Sequence, residues 1–380
     1  MPEVRQQIRI EPIGETAKIE LPERLGFGLY FTDRMFSQSY SLDRGWHDPQ
    51  IGPYRSITLD PATTVYHNGQ MIFDGTKAYR RADGNINLFR TDLNVERFNH
   101  SALRMGMPTV DPEFHLGAIE ELVRLEHRWV PDRAGTALYI RPVMIATETS
   151  LEVRASHEYL HYIILSPVAP YFADGFAPVS VYVSRDFVRS VRGGTGEAKT
   201  PGNYAGSIAA TEIALKKGYQ QVLWLDGVER KFVDEVGAMN IAFVFGGEEI
   251  VTPSLTGAIL KGITRRSLLQ LAPDLGYTLT ERRITIDEVI AGLRDGKMTE
   301  IFGIGTGAVV APVGRLSYDD QEIVIRDGEP GPVAMRLYEE LTALQYGRRP
   351  DPYGWTRLIE VGSVSENSTD GCERALGTNR

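Results

Sequence analysis

Lys199 is the residue of this 380-residue chain with the clearest chemical prospects. It stands in "GEAKTPGNYAGS", residues 196–207, amid small and turn-forming residues, with the phenol of Tyr204 five positions on. A lysine amine that burial and a cationic neighbour keep partly unprotonated can attack an aldehyde and form an imine. The preceding glycines raise a competing chemistry, a nucleotide phosphate loop. That loop needs glycine directly before the lysine, where the backbone meets the phosphates, and a helix directly after it. Ala198 precedes Lys199, and Pro201 and Gly202 interrupt the segment after it, so the spacing argues against it.

Two further stretches carry chemistry-bearing residues. "HEYLH", residues 157–161, has the zinc-peptidase spacing, which works only on a helix that puts both histidines on one face. It runs straight into the β-rich "YIILSPV", which predicts a strand at His161 and no metal site. "GIGTG", residues 303–307, is followed by strand-like "AVVAPV" where a dinucleotide fold needs a helix. What remains there is a glycine turn whose backbone N–H groups could form an anion nest.

The elements that must position these residues alternate in type. Short β-rich runs follow "GFGLYFTDRM", and helical patterns cover "NVERFNHSALRMGM" and "DPEFHLGAIEELVRLEHRWV", the latter with Leu116, Ile119, Leu122 and Val123 on one face. "ALYIRPVMIAT" and "HYIILSPVAPYF" read as strands, and "ADGFAPVSVYVSR" reads as a linker. Later come helical "SIAATEIALKKG", strands "QQVLWLDG" and "NIAFVFGG", and a helix capped by Thr285 with Glu288 three residues on. The last helix is "PVAMRLYEELTALQYG".

A chain of this length suits two domains. The formal net charge of −9 argues against an extended nucleic-acid or anionic-membrane surface. There is no 18-residue apolar run, and the single cysteine, Cys372, cannot form an intrachain disulfide, so a cytoplasmic location with no membrane or nucleic-acid partner is expected.

In chain order, "FTDRMF", "FDGTKAYR", "LYIRPVMIATE", "SPVAPYF", "GGTGEAKTPGNYAGS", "QQVLWLDG", "EVGAMN", "GITRRSLLQLA", "FGIGTGAVVAPV" and "LQYGR" span about residues 25–348. This series resembles the branched-chain amino acid aminotransferases, pyridoxal-phosphate enzymes of fold type IV. The resemblance implies an α/β fold of the α+β kind. A flexible arm at 1–20 would precede a smaller α/β domain at 21–172. A linker at 173–186 would lead to a larger cofactor domain at 187–362 with a β-barrel-like core, and a disordered tail at 363–380 would follow.

It also implies roles. Lys199 would carry the cofactor and shuttle a proton at the substrate, Glu235 would face the pyridine nitrogen, and Tyr204 would bond the ring oxygen. Arg97, the backbone of Ile263 and Thr264, and the Thr306 hydroxyl would hold the phosphate of pyridoxal 5'-phosphate. Phe31, Asn68, Phe73, Tyr139, Arg141, Tyr171, Gly307 and Ala308 match substrate-pocket positions. An arginine among aromatic walls suits both an aliphatic side chain and the distal carboxylate of 2-oxoglutarate. The family is dimeric, and Leu151 and Val153 match a loop that reaches the partner's active site.

Asn68 departs from the family's usual tyrosine; if the segment is a strand, Tyr66 faces the same side and could compensate. Asp74 replaces the usual glutamate. These departures leave open an aminotransferase of specialised metabolism acting on an atypical amino acid. More distant readings are a lyase of the same fold and the zinc peptidase.

Overall fold

The apolar run Ala137–Ala146 is buried on both faces, which only a central strand covered from both sides permits. In the computed structural model, which describes residues 7–14, 21–170 and 176–361, it is the spine of a nine-stranded sheet. The strands up to this point are β1 (Arg9–Ile10), β2 (Arg34–Ser41), β3 (Gly45–Pro53), β4 (Met71–Phe73), β5 (Thr76–Arg80), β6 (Ile86–Phe89), β7 (Ala137–Ala146) and β8 (Glu158–Val168). The order is β1-β3-β2-β8-β7-β5-β6, with β4 also on β7 and a late strand, β18 (Thr356–Ile359), beside β6. Helix α1 (Thr64–Asn68) precedes β4, while α2 (Thr91–Arg104) and α3 (Pro112–Leu125) pack their apolar faces against Phe36, Leu88, Leu138 and Ile163. Asp111 caps α3 by accepting from the Phe114 N–H at 2.7 Å.

The second sheet contains β9 (Val179–Val183), β10 (Gln221–Leu225), β11 (Val233–Val236), β12 (Asn240–Phe245), β13 (Glu249–Thr252), β14 (Thr278–Glu281), β15 (Met298–Gly305), β16 (Val309–Tyr318) and β17 (Gln321–Val324). Its order is β11-β10-β9-β16-β15-β12-β13-β14, with β17 on β16. A bridge between Val236 and Met239 returns β11 to the start of β12. Six strands thereby form a barrel-like ring filled by Val181, Leu223, Val236, Ile241, Phe243, Ala311 and Val313. Helices α4 (Pro201–Ala205), α5 (Ile208–Lys216), α6 (Ile263–Asp274), α7 (Ile286–Arg294) and α8 (Pro332–Gln345) complete this half. A shared core joins the sheets, with Tyr79, Phe89, Ala137 and Tyr139 meeting Val244, Phe302, Ile304 and Val310 and the apolar sides of α6 and α8.

Several local readings need correction. The stretch at 173–186 is more than a linker, because its alternating "VSVYV" supplies β9, paired in parallel with both β10 and β16. Arg9–Ile10, within the expected arm, pairs with Gln50 and Ile51. Strand β18, expected with the larger domain, pairs with β6 of the first sheet. The segment holding Tyr66 and Asn68 is helical and closed by left-handed Gly69, so two-residue spacing does not put them on one side. In α3 the buried face is His115, Ala118, Ile119, Leu122 and Val123, and Leu116 lies at its margin. Thr285 caps α7 from the Glu288 N–H at 3.0 Å, but the Glu288 carboxylate turns away to Arg282. The tail at 363–380 lies outside the described residues.

Candidate active site

Lys199 reaches its position through backbone held on several sides. Its N–H donates to Ser101 Oγ of α2 at 2.9 Å, and its carbonyl accepts from the Phe73 N–H at 3.0 Å. Arg104 of α2 donates to the Gly193 and Gly194 carbonyls, fixing the glycine stretch upstream. Pro201 then starts α4 at its first position, which carries Tyr204 back over the lysine. The Lys199 Nζ–Tyr204 Oη separation is 2.7 Å, and Nζ also lies 5.2 Å from the centroid of Phe73.

These groups face a cavity of about 390 Å³ between the sheets. Its wall includes Phe73, Arg97, Tyr139, Arg141, Lys199, Tyr204, Glu235, Ile263, Thr264, Thr306, Gly307 and Ala308. Twelve of the fifteen residues expected to meet cofactor or substrate therefore come together in one place. Phe31 is outside the wall and stacks on Tyr54 at 5.3 Å. Asn68 is outside it as well, its Nδ2 donating to the Glu152 carbonyl at 2.8 Å. Tyr171 lies outside the described residues.

Glu235 sits on β11, fully buried, and burial pushes its carboxyl up to about 7 despite the opposing charge of Arg189. Arg189 Nε forms an ion pair with Oε2, and Asn240 Nδ2 donates to Oε1 at 3.0 Å. Sequence reasoning missed both partners. Arg189 carries no local motif, and Asn240 reads simply as the first residue of an apolar strand.

Arg97 is buried on α2 and grips Asp74 with two parallel bonds, Nε to Oδ2 at 2.9 Å and NH2 to Oδ1 at 2.8 Å. NH1 donates to the Lys261 carbonyl at 3.2 Å, leaving one N–H on each terminal nitrogen for a ligand. Helix α6 begins beside it at Gly262, has no side-chain cap and carries no acid in its first turn. A Cβ at Gly262 would lie 1.9 Å from Asn240 Oδ1, so glycine is what lets this helix start against the cavity. The exposed amides of a helix start together with a guanidinium are the donor set that a phosphate dianion requires.

On the opposite wall, the Arg141 guanidinium lies over Phe73 at 4.6 Å and bonds the Tyr139 hydroxyl at 3.1 Å. Its Nε is buried without a hydrogen-bond partner among the described residues, a donor awaiting an anion. The glycine turn closes the cavity between β15 and β16. Its exit residue, Val309, has φ +64, a left-handed conformation that costs a β-branched side chain about 1–3 kcal/mol.

"HEYLH" takes no part. Glu158 opens β8, and His161 is buried beside His115 with ring centroids 4.6 Å apart. The described residues hold no cluster of metal-ligating side chains, and none of their helices is long and apolar enough to cross a membrane.

The cavity residues fit pyridoxal phosphate: an amine with a neighbouring phenol, a buried carboxylate and a phosphate-sized donor set. A model of the amino-transferase class IV family matches residues 71–316. Branched-chain-amino-acid aminotransferase 2 of Bacillus subtilis (strain 168) is 48% identical over 96% of this chain and 99% of its own length. Branched-chain-amino-acid transaminase 1 of the same organism is 51% identical, covering 90% and 95%. Among solved structures, the T.th. branched-chain amino acid aminotransferase complexed with N-(5'-phosphopyridoxyl)-L-glutamate is similar at TM-score 0.68 and 27% identity, covering 87% of this chain and 99% of that one. Its complex with 4-methylvaleric acid gives 0.68 at 26% identity with the same coverage. This chain belongs to the class IV aminotransferases, in the branched-chain amino acid aminotransferase family.

Proposed function

We propose that the protein is a cytoplasmic, homodimeric aminotransferase that moves the amino group of leucine, isoleucine or valine to 2-oxoglutarate with pyridoxal 5'-phosphate. The observation that carries this reading is the convergence of Lys199, Tyr204, Glu235, Arg97 and the start of α6 on one cavity. The bound cofactor supplies an aldehyde that takes the amino group and a conjugated ring that delocalises the electron pair left at the substrate Cα.

The chain's own groups do the rest. Lys199 Nζ holds the cofactor between turnovers and moves the proton at the substrate Cα, oriented by the Tyr204 hydroxyl. Glu235 holds a proton at the ring nitrogen, and Arg189 and Asn240 keep its carboxylate aimed there. Arg97, the Ile263 and Thr264 amides and the Thr306 hydroxyl bind the phosphate. Phe73 and Tyr139 enclose the aliphatic side chain and exclude water from it. Arg141 Nε takes the distal carboxylate of 2-oxoglutarate, while the turn at Gly307 and Ala308 takes the α-carboxylate.

The loop at 151–153 supports the dimer. Leu151 and Val153 are 65% and 92% exposed, an apolar pair left for a partner to cover. Asn68 tethers this loop at Glu152, so its part is to hold the loop that reaches toward the partner's active site.

The test is a panel of amino donors offered to the holoenzyme with 2-oxoglutarate, reading glutamate formation. Leucine, isoleucine and valine should react fastest. Slow turnover of all three beside brisk turnover of an unrelated amine would overturn the substrate assignment.

A further inference from the structure

Lys77 lies on β5, only 5% exposed, and plays no part in the chemistry above. Its Nζ donates to the Gly307 carbonyl at 2.7 Å. A small cavity at its tip is lined by Tyr79 of β5, Tyr338 and Gln345 of α8, and Tyr346. No carboxylate lines that cavity among the described residues. Burial alone takes the lysine's pKa down to about 8, while the three surrounding phenols are all pushed upward by burial. Arg348 lies over the Tyr346 ring. A buried cation without a counterion needs a reason to be there.

Gly307 and Ala308 form the wall between this small cavity and the large one. A trans peptide points its C=O and N–H in opposite directions, so the bond from Lys77 aims the Ala308 N–H away from the lysine. That N–H donates no hydrogen bond among the described residues. An ammonium on the carbonyl also polarises the peptide and strengthens its N–H as a donor. The turn leads directly into strained Val309, a conformation that persists only where its surroundings hold it.

We propose that Lys77 is a positioning residue for carboxylate recognition: its ammonium fixes and polarises the Gly307–Ala308 peptide so that the Ala308 N–H binds the substrate's α-carboxylate. This rests on the aminotransferase reading of the cavity. It explains why the lysine is buried without an acid, because the opposing charge arrives with the substrate.

The experiment measures binding of 4-methylvaleric acid and of its carboxamide to wild-type, Lys77→Met and Lys77→Gln holoenzymes by calorimetry. In both variants the acid should bind about tenfold more weakly, the loss expected for one weakened charge-assisted bond. Carboxamide binding should hardly change. The wild-type preference for acid over carboxamide should fall as pH rises through about 8, and the variants should lack that step. Equal weakening of both ligands reduces Lys77 to packing and overturns the proposal. So does unchanged acid binding, or a wild-type preference that is flat from neutral to alkaline pH. Lys77→Gln keeps an amide donor and decides the matter if Lys77→Met does not fold. A wild-type holoenzyme that binds neither ligand would instead sink the reading of the cavity.

Discussion

Asp74→Asn tests the assembly of the Arg97 end of the cavity. The Asp74 carboxylate is fully enclosed and Arg97 nearly so, with side-chain exposures of 0% and 8%. Two guanidinium nitrogens, Asn94 Nδ2 at 2.7 Å and the Gly75 N–H at 2.7 Å all donate to that one carboxylate. Asparagine keeps the volume but replaces an acceptor oxygen with a donor NH₂, which must face one of these donors. It also leaves Arg97 as a buried charge without its counterion. Breaking a buried pair from one side costs about 3–5 kcal/mol, a large share of the roughly 5–15 kcal/mol that holds a folded protein together.

The assay is equilibrium guanidinium unfolding of cofactor-free protein at one protein concentration, since ligand and partner both add apparent stability. The pH dependence gives a second check. Burial alone would raise Asp74, but the charge and hydrogen bonds of Arg97 hold its carboxyl below the usual range. A group depressed in the folded state contributes stability above its unfolded pKa, near 3.9, and loses it as pH falls through the folded value. The gap between wild type and Asp74→Asn should therefore be flat from about pH 5 to 8 and close only in strong acid. A penalty under about 1 kcal/mol at neutral pH would show that the pair is not the support inferred here.

Glu235→Gln keeps the shape that Asn240 and Arg189 enclose but removes the charge, so cofactor binding should survive in part while transamination slows ~10²–10⁴-fold. Turnover within tenfold of wild type would mean that another group serves the ring nitrogen. His115 and His161 are buried as neutral rings, His115 lowered to about 4 and His161 well below its usual value, both by burial. Each is depressed in the folded state, so stability should fall as pH drops below about 6.5, by up to roughly 1.4 kcal/mol per pH unit per histidine. His115→Phe should make that acid limb shallower in pH-dependent unfolding, and an unchanged slope would refute the assignment.

The meeting of Lys199 with Tyr204 and most elements were legible because their signals are local. Lys199 and Tyr204 are five residues apart, the "HEYLH" strand follows from the apolar run behind it, and the Thr285 cap from a three-residue spacing. The features that were not legible depend on pairings across the chain. Arg189 meets Glu235 from a segment far from β11, and nothing in "RDFVRSV" marks the arginine as buried. His115 reads as a polar interruption of the α3 face, yet it completes that face because His161, Phe98 and the sheet surround it. The five-residue α1 lacks enough turns to show a helical period, so Asn68 could not be placed by pattern alone. Strand β18 is half exposed at a sheet edge and carries little apolar signal.

The site also depends on an irregularity in the sheet. Pro142 stands in the middle of β7, where a missing N–H would ordinarily break a ladder. Its carbonyl accepts from the Asp74 N–H at 2.9 Å, so the side on which it has nothing to donate is the gap between β4 and β5. The chain leaves the ladder across that gap at Asp74 and Gly75, which brings the carboxylate to Arg97 instead of to a neighbouring strand. Gly75 then lets the Tyr139 hydroxyl lie against the backbone, since a Cβ there would come within 1.8 Å of it. Tyr139 in turn holds Arg141 through its 3.1 Å hydrogen bond. The proline, the gap and the glycine thus set both the Arg97 end and the Arg141 end of the cavity from one interruption of strand pairing. Lengthening β4 into β5 would improve the sheet and dismantle the site.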